Sequence, residues 1–457
     1  MYTLFKPSAL AEKLKFLLLT LHVAGLWLVV PITSRAQESS PLSLAEAQAF
    51  AVKNALQVKN ASYDAEVAKL TSDELLGIGL PQVSASLQYQ NFITLITQVA
   101  DGALFGAPGQ EVRFQFGLPH NMTASLTASQ ILFNGSWLVG LQASRAYADL
   151  QKKNMSKSEI EVKAATAQAY HLALSLQEQL KFTEQTRMVL NQMVDETSAL
   201  YSAGFVEEQD VEQLQLSLNE ISNVISTLKA NVRLSEILLK FTIGMPLQQD
   251  ITLTDTAESL MNPGDIMSVS FTPDKNIDVM LTTNALRMQE LNLKNKKAAF
   301  LPNAALFYNL QSQAFRQEFD FFDTSKQWFA PQLWGFTLNM PILSGGTNMK
   351  SVQKAKVEVQ RMKDTVENVK SASLLGYEQA KTEYETALQS VNLSQQSLTL
   401  AQKILDKTNI KFKEGIASSM NVSQSTSQVL KAQTDLANAK RSLLDATVKL
   451  KKSLNIL

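Results

Sequence analysis

A dense group of ionisable side chains lies within residues 207–212. Its members are Glu207, Glu208, Asp210 and Glu212. Carboxylates this close together create a strong negative potential, which attracts cations. Acidic residues also favour the first turn of a helix, where they complement the helix dipole and remain solvated. The sequence leaves both interpretations open.

Residues capable of catalysis are scarce. The chain has no cysteine and three histidines, of which His22 lies in the N-terminal segment. His120 and His171 lack an HExxH-type neighbour that would indicate a metal site. No nucleophile–base pair or cofactor motif is recognisable. We therefore expect no enzyme activity, no cofactor and no resident metal.

The charge balance argues against nucleic acid as a partner. Lys plus Arg and Asp plus Glu each number 42. Residues 1–36 hold four of the basic residues and one of the acidic ones, so the remainder has 38 basic and 41 acidic residues, a net charge of −3. No basic excess is available to neutralise phosphates.

The first 36 residues have the pattern of a signal peptide. Lys13 and Lys15 precede an apolar run from Phe16 to Val30, and Ser34-Arg35-Ala36 supplies small residues at a cleavage site. A permanent transmembrane helix is the alternative, but the run is short for a membrane span and ends at Pro31. We expect an exported chain that begins near Gln37.

The order of predicted elements occurs twice. In each half a Leu-Pro pair precedes alternating segments, a long helical run follows, and a glycine separates that run from another helix. The landmarks are Leu80-Pro81 and Leu301-Pro302, Gly135 and Gly345-Gly346, and Gly204 and Gly415. Such a repeat predicts a duplicated helix–hairpin–helix–helix unit.

The repeat sets the predicted domain boundaries. The first repeat covers 37–246, with a hairpin over 81–134 and a helix pair over 135–243. A connector with turn signals follows over 247–275. The second repeat covers 276–457 and includes a helix, a hairpin over 302–343 and a helix pair over 346–455.

Four segments alternate between apolar and polar residues, which predicts strands with two unlike faces. They cover residues 82–95, 122–129, 303–313 and 334–340, and Phe307 interrupts the polar face of the third. An ordinary sheet packed on a core is one explanation. The polar face is almost purely Ser, Thr, Gln and Asn, which favours the lumen side of a membrane barrel. Four strands cannot close a barrel, so copies must combine; three would give twelve strands, and other multiples remain open.

The runs Gly135–Ser202 and Gly345–Phe412 contain no proline and are much longer than ordinary helices. Each could form a rod of roughly 100 Å. A simple coiled coil would explain the length. It would not explain why each run follows a membrane-type hairpin and folds back at a glycine.

These features together resemble the TolC family of outer-membrane efflux and secretion ducts. The resemblance rests on the duplicated Leu-Pro pairs, on the segment Pro341–Gly346 and on the segment Gly415–Val422. It implies a homotrimer with a twelve-stranded β-barrel in outer-membrane lipid and a periplasmic α-helical barrel. It also implies a passive duct that receives substrate from an inner-membrane pump through a periplasmic adaptor, also called a membrane fusion protein.

The resemblance assigns the helix turns to adaptor docking and the nearby polar residues to the periplasmic mouth. The docking residues are Tyr201, Gly204, Phe205, Phe412, Gly415, Ile416 and Ser418. Many family members carry two aspartates beyond the second glycine, where this chain has Asn421 and Gln424. The four carboxylates at 207–212, repeated around a threefold axis, are the alternative source of a negative mouth.

Two loops extend the expectations. Asp101–Pro119 contains several glycines and predicts a flexible outward-facing loop. Phe315–Phe329 is rich in aromatic residues and suits either a girdle at the membrane interface or a plug in the pore.

The leading function is the outer-membrane channel of a tripartite efflux or type I secretion system. A structural or adhesive periplasmic coiled-coil protein is the alternative.

Overall fold

The computed structural model describes residues 40–106, 108–261 and 266–457. The predicted signal peptide lies outside these residues. The helices are α1 (Leu44–Asn54), α2 (Leu56–Ile78), α3 (Gly135–Ser202), α4 (Glu208–Ile243), α5 (Ala257–Leu260), α6 (Ile277–Ala298), α7 (Thr347–Lys413) and α8 (Ser419–Ser453). The strands are β1 (Ser40–Leu42), β2 (Gln82–Asn91), β3 (Thr97–Asp101), β4 (Glu111–Gln115), β5 (His120–Asn134), β6 (Ile251–Leu253), β7 (Asn303–Arg316) and β8 (Gln332–Asn339).

Each half of the molecule pairs one long helix with two shorter ones. Helix α3 has 68 residues and α7 has 67, so each is about 100 Å long at 1.5 Å per residue. The C-terminus of α4 meets the start of α2, where a Cβ on Gly244 would lie 2.7 Å from the Asn54 carbonyl oxygen. The end of α8 meets the start of α6 in the same way, and the Asn276 side-chain amide donates to the Ser453 carbonyl oxygen at 3.4 Å.

The four long strands form one antiparallel sheet in the order β2-β5-β7-β8. Cross-strand pairing aligns the apolar residues: Leu126 lies opposite Ala85 on one side and Leu310 on the other. Ser125 likewise lies between Ser86 and Gln311. Because side chains alternate along a strand, the sheet has one apolar face and one polar face, as the sequence predicts.

A compact core lies where the short helices meet. Helices α1, α2, α3, α4, α5 and α8 contribute buried residues to it. Its largest fully buried side chain is Tyr170, whose hydroxyl donates to the Leu42 carbonyl oxygen and to Asp255, both at 2.9 Å. Burial is the main cause that raises the pKa of Tyr170, so the hydroxyl stays protonated and keeps donating.

The predicted loop 101–119 and the predicted connector 247–275 both contain regular structure. Strand β4 falls inside 101–119 and pairs with β3, so part of the expected flexible loop is a β-hairpin. Alternation in Glu111–Gln115 was too short to recognise in the sequence. The connector contributes β6, which pairs in parallel with β1, and the short helix α5. Residues 262–265 of the connector, whose Asn262-Pro263-Gly264 sequence is one of its turn signals, lie outside the described residues.

None of the helices in the described ranges combines the length and apolar character needed to cross a membrane.

Candidate functional site

The first helix turn joins α3 to α4. The Gly204 N–H donates to the Tyr201 carbonyl oxygen at 2.8 Å, and the Phe205 N–H donates to that of Leu200 at 2.9 Å. Gly204 has φ of +82°, a left-handed conformation that a Cβ disfavours. Phe205 is 78% exposed, so an aromatic ring projects from the end of this helix pair.

The second turn, between α7 and α8, has the same backbone arrangement. The Gly415 N–H donates to the Phe412 carbonyl oxygen at 3.0 Å, and the Ile416 N–H donates to that of Lys411 at 2.8 Å. Gly415 has φ of +74°. Ile416 is 71% exposed and corresponds to Phe205. Both turns therefore present one large apolar side chain to solvent.

The predicted docking residues do not all lie on the surface. Tyr201, Phe205, Ile416 and Ser418 are exposed, whereas Phe412 is half-buried. Phe412 packs against a core shared by both helix pairs, whose fully buried members include Leu214 of α4 and Val422 of α8. This core holds the two turns together as one unit.

The helices that leave the two turns begin differently. Ser418 caps α8 in a capping box: its hydroxyl accepts from the Asn421 N–H at 3.4 Å, and the Asn421 side-chain oxygen accepts from the Ser418 N–H at 3.1 Å. Glu207 precedes α4 in the equivalent place, and its carboxylate makes no capping hydrogen bond within the described structure. Asn421 therefore has a structural role that the sequence analysis did not recognise.

Three polar contacts connect the first repeat to the second near the turns. The Ser419 N–H donates to Asp210 Oδ1 at 3.3 Å, and the hydroxyls of Ser217 and Ser423 lie 2.7 Å apart. Lys413 Nζ lies 2.9 Å from Glu196 Oε2. Sequence reasoning missed Glu196, Ser217, Ser419 and Ser423, because each partner lies about two hundred residues away and no local pattern reveals the pairing.

The four acidic candidates for the periplasmic mouth differ in their exposure to solvent. Glu207, Glu208 and Glu212 are exposed, whereas Asp210 is half-buried beside α8. Hydrogen bonds from Lys413 and Gln192 hold the pKa of Glu196 below its ordinary value. In the described part of the chain, no group of three or more His, Cys, Asp or Glu side chains is arranged to hold a metal ion.

The two histidines outside the N-terminal segment both have partners. His171 of α3 is 2% exposed, and its Nδ1 lies 2.9 Å from Asp445 Oδ1 of α8. His120 of β5 has its Nδ1 2.8 Å from the Tyr89 hydroxyl. Both histidines join separate elements, which is a structural role.

The polar face of the sheet is held together by short uncharged side chains. The hydroxyls of Ser86 and Ser125 lie 2.7 Å apart, and the Asn309 amide donates to the Thr127 hydroxyl at 2.8 Å. Among the residues of β2, β5, β7 and β8, all of them described, Arg316 is the only Lys, Arg, Asp or Glu. Such a wall is wettable and nearly uncharged.

The aromatic loop between β7 and β8 divides between the two faces. The ring of Tyr89, which belongs to the apolar face, contacts Phe319 and Phe321 edge-on at centroid distances of 5.3 and 5.9 Å. Phe321 is 4% exposed there. Phe315 and Phe329 belong to the polar face, because they pair with Asn121 and Gln313 respectively.

A family model decides what kind of protein carries this architecture. The model of the outer membrane efflux protein family matches residues 118–245 and 283–455. The chain belongs to the outer membrane efflux protein family. This efflux protein therefore works in the cell outer membrane and extends into the periplasm. The family is one of channels rather than enzymes, and it does not favour a purely structural or adhesive coiled-coil protein.

Solved channel structures share the fold of this efflux protein. VceC from Vibrio cholerae is 14% identical, with a TM-score of 0.69 over 90% of this chain and 95% of that chain. CmeC from Campylobacter jejuni is 17% identical, with a TM-score of 0.67 over 90% and 85%. The open state of MtrE from Neisseria gonorrhoeae is 14% identical, with a TM-score of 0.67 over 90% and 88%. No curated protein sequence matches the chain significantly.

Proposed function

We propose that three copies of this chain form one continuous duct. Their sheets close into a twelve-stranded barrel in the outer membrane, and their helices form a tunnel through the periplasm. The duct is passive and belongs to a tripartite assembly with a periplasmic adaptor and an inner-membrane pump. Adaptor hairpins dock on the two helix turns and open the periplasmic end.

The unpaired edges of the sheet carry this proposal. Strands β2 and β8 are the outer members of the four-stranded sheet, so within the described chain each is paired along one side. A sheet edge cannot remain open in lipid, because its N–H and C=O groups would lack partners. Since β2 and β8 run in opposite directions, β8 of one copy can pair with β2 of the next, and the antiparallel pattern continues without interruption.

Barrel size favours three copies. Two copies would give eight strands, whose interior is just filled by side chains and leaves no passage. Three copies give twelve strands, which lies within the range of bacterial outer-membrane barrels and leaves room for a water-filled lumen. The polar face of the sheet then lines the lumen, and the apolar face meets lipid.

Helix α7 supports the same assembly. It exposes apolar side chains along its length, including Leu375 at 59%, Leu400 at 59% and Ile410 at 57%. Few of its residues are buried in the single chain. A neighbouring copy packed along α7 would cover this surface and complete the tunnel wall.

The helix turns suit a docking role because of what they expose. Phe205 and Ile416 project from turns that are held together by the core around Leu214 and Val422. Apolar anchors on a rigid support are typical of binding hot spots. The exposed carboxylates of Glu207, Glu208 and Glu212 follow the first turn in each copy and give the mouth a negative potential.

Disulfide trapping tests the assembly cleanly, because the natural chain contains no cysteine. Strands β2 and β8 of one chain are separated by β5 and β7, about 14 Å, which is too far for an internal disulfide. A scan that combines Ser84→Cys or Ser86→Cys with Thr337→Cys should therefore give crosslinks between copies. The oxidised protein, extracted from outer membranes, should give a ladder of bands that ends at three chains.

The matched control is the combination of Thr127→Cys with Asn309→Cys. These residues are cross-strand partners within one chain, so oxidation should leave the chain at monomer size. A ladder that ends at two or four chains would replace the trimer by another assembly. Conducting protein that stays monomeric, with no crosslink at any pair of edge positions, would contradict the shared barrel.

A further inference from the structure

The polar face of the sheet contains an unbroken apolar stripe. Strand β8 and the segment before it place Gly335, Leu333, Pro331 and Phe329 on this face, opposite Phe307, Asn309, Gln311 and Gln313 of β7. The register is continuous, since the Gln311 N–H donates to the Pro331 carbonyl oxygen at 3.0 Å and Gln313 exchanges two backbone hydrogen bonds with Phe329. Phe315 extends the stripe at its far end.

Neighbouring members of the stripe are close in space. Leu333 lies diagonally across from Phe307, and Phe315 lies diagonally across from Phe329, which are distances of about 7–8 Å between backbones. From Phe307 to Phe315 the stripe is about 27 Å long. Leu333, Phe329 and Phe315 are 50%, 51% and 41% exposed, so their apolar surface is available.

Gly335 fixes the position of the Phe307 ring. A Cβ built on Gly335 would lie 2.9 Å from Cζ and 3.2 Å from Cε1 of Phe307. The far end of the ring therefore lies against β8 at Gly335 and needs the absence of a side chain there. This contact keeps the end of the ring beside the backbone of β8.

The surroundings of the stripe are polar. Strand β5 contributes Ser129, Thr127, Ser125, Thr123 and Asn121 to the same face, and β2 contributes Gln82, Ser84, Ser86, Gln88 and Gln90. Beyond β8 the next copy would present β2 again. The stripe is thus an isolated apolar track, repeated once per copy, in a wall whose strands carry almost no charge.

We propose that this apolar track, Phe307–Leu333–Pro331–Phe329–Phe315, selects amphiphilic cargo by contact with its hydrocarbon part. The proposal rests on the closed barrel of the preceding section, in which the polar face lines the lumen. Conduction needs contacts that are strong enough to attract a solute and weak enough to release it. Several modest apolar contacts in series meet that requirement, and an uncharged wall accepts head groups of either sign.

The test uses the full-length trimer in planar bilayers, with butyl-, hexyl- and octyltrimethylammonium added on the extracellular side as blockers. In the natural protein, the affinity of the blocker should rise about twofold for each added methylene. This corresponds to half of the free energy gained when a methylene is completely buried. The double variant Phe307→Ser with Leu333→Ser should reduce this dependence to less than about 1.3-fold. The control double variant is Tyr308→Ser with Trp334→Ser, a cross-strand pair on the opposite face, and it should keep the natural dependence.

A second arm uses Gly335→Ala. Its methyl group should push the Phe307 ring off the strand and lower the unit conductance. The same change in a Phe307→Ala background should have no effect on conductance, because no ring remains to be displaced.

The outcomes separate this proposal from the one on which it rests. A natural protein that forms no conducting trimer contradicts the shared barrel itself. A conducting trimer whose block ignores chain length, or whose dependence survives in the Phe307 and Leu333 variant, overturns the apolar track and leaves the duct intact. Equal effects of Gly335→Ala with and without Phe307 would also overturn it.

Discussion

Glu207 and Ser418 occupy equivalent positions, each just before the helix that leaves its turn. The turns themselves share a glycine with positive φ and the same backbone hydrogen bonds. Ser418 closes a capping box with Asn421, whereas the Glu207 carboxylate is exposed and leaves the first N–H groups of α4 without a side-chain cap in the described structure. The duplicated backbone is thus conserved between the repeats while the side chains have taken different roles.

The difference teaches how the two turns depend on each other. The second turn supplies the cap of its own helix α8. Asp210, from the helix after the first turn, additionally accepts a hydrogen bond from the Ser419 N–H. The first turn keeps three exposed carboxylates that are not needed for its own capping. Negative charge is therefore concentrated on one repeat, and structural support on the other.

The largest expected effect comes from the shared feature, the left-handed glycine. Gly415→Val should abolish adaptor binding and transport, because a β-branched residue is strained at φ of +74° by about 1–3 kcal/mol or more. The trimer should still reach the outer membrane. Adaptor pull-down and transport assays measure the loss, and Gly204→Val should behave alike if both turns are docked.

Gly376→Ala is the matched control. Gly376 lies inside α7, where a Cβ meets no described atom within 4 Å, and alanine favours a helix interior. Docking and transport should be unchanged. Normal export by Gly415→Val would remove the docking role from the second turn.

The next largest effect concerns the acidic residues, which distinguish the first turn from the second. Glu207→Gln, Glu208→Gln, Asp210→Asn and Glu212→Gln together should lower cation selectivity and weaken block by multivalent cations. The reversal potential in a salt gradient measures the change. Asn421→Asp is the reciprocal control and should raise selectivity, since aspartate can keep the capping box while it adds a charge.

Asp210 must also be tested separately, because it alone of the four is half-buried and bonded to α8. A variant that spares Asp210 should lose as much selectivity as one that changes all four. Unchanged selectivity after neutralisation of all four would mean that the carboxylates serve only the start of α4, with a small loss of helix stability.

A smaller effect should separate the two helix starts. Ser418→Ala should destabilise the start of α8 by about 1 kcal/mol, the usual cost of losing a cap. Glu207→Ala should cost much less, and Glu207→Ser should stabilise α4 by supplying a cap. Hydrogen exchange of the first amides of each helix reports these differences. Equal losses from Ser418→Ala and Glu207→Ala would contradict the unequal capping.

The smallest effect is a pH dependence at the contact between repeats. Because the folded pKa of Glu196 is lowered by Lys413 and Gln192, its contribution to stability is complete above the ordinary glutamate pKa of about 4.3. It is lost as the pH falls through the lowered value. Exchange at the turns should accelerate over that window in the natural protein and stay flat in Glu196→Gln, which should be looser at neutral pH.

The sequence predicted the elements well where a periodic pattern was long. Helix α3 begins and ends at the predicted Gly135 and Ser202, and the four long strands lie on the alternating segments. Both turn glycines have the positive φ that their position before a second helix indicated. Family membership followed from the order of these elements.

What the sequence could not supply was side-chain partnership across the repeats. Phe412, a docking residue by the resemblance, is half-buried in the single chain, because it packs against a core to which Leu214 of the other helix pair contributes. The capping role of Asn421 was not predicted, because the resemblance led us to consider this position only as one where many family members carry an aspartate. Strand β4 was missed because five residues are too few to distinguish alternation from chance. The boundaries 37–246 and 276–457 stay predictions.

The end-to-end contact between α4 and α2 at Gly244 has a mechanical consequence. Each helical pair contains an unbroken member, α3 or α7, beside a member made of two pieces that meet at Gly244 or at Asn276. When such a helix pair bends, the two pieces of the interrupted member can shift at their junction. The continuous helix keeps its backbone hydrogen bonds. Bending of a helix pair at the level of this junction therefore requires no helical turn of the interrupted member to be lost.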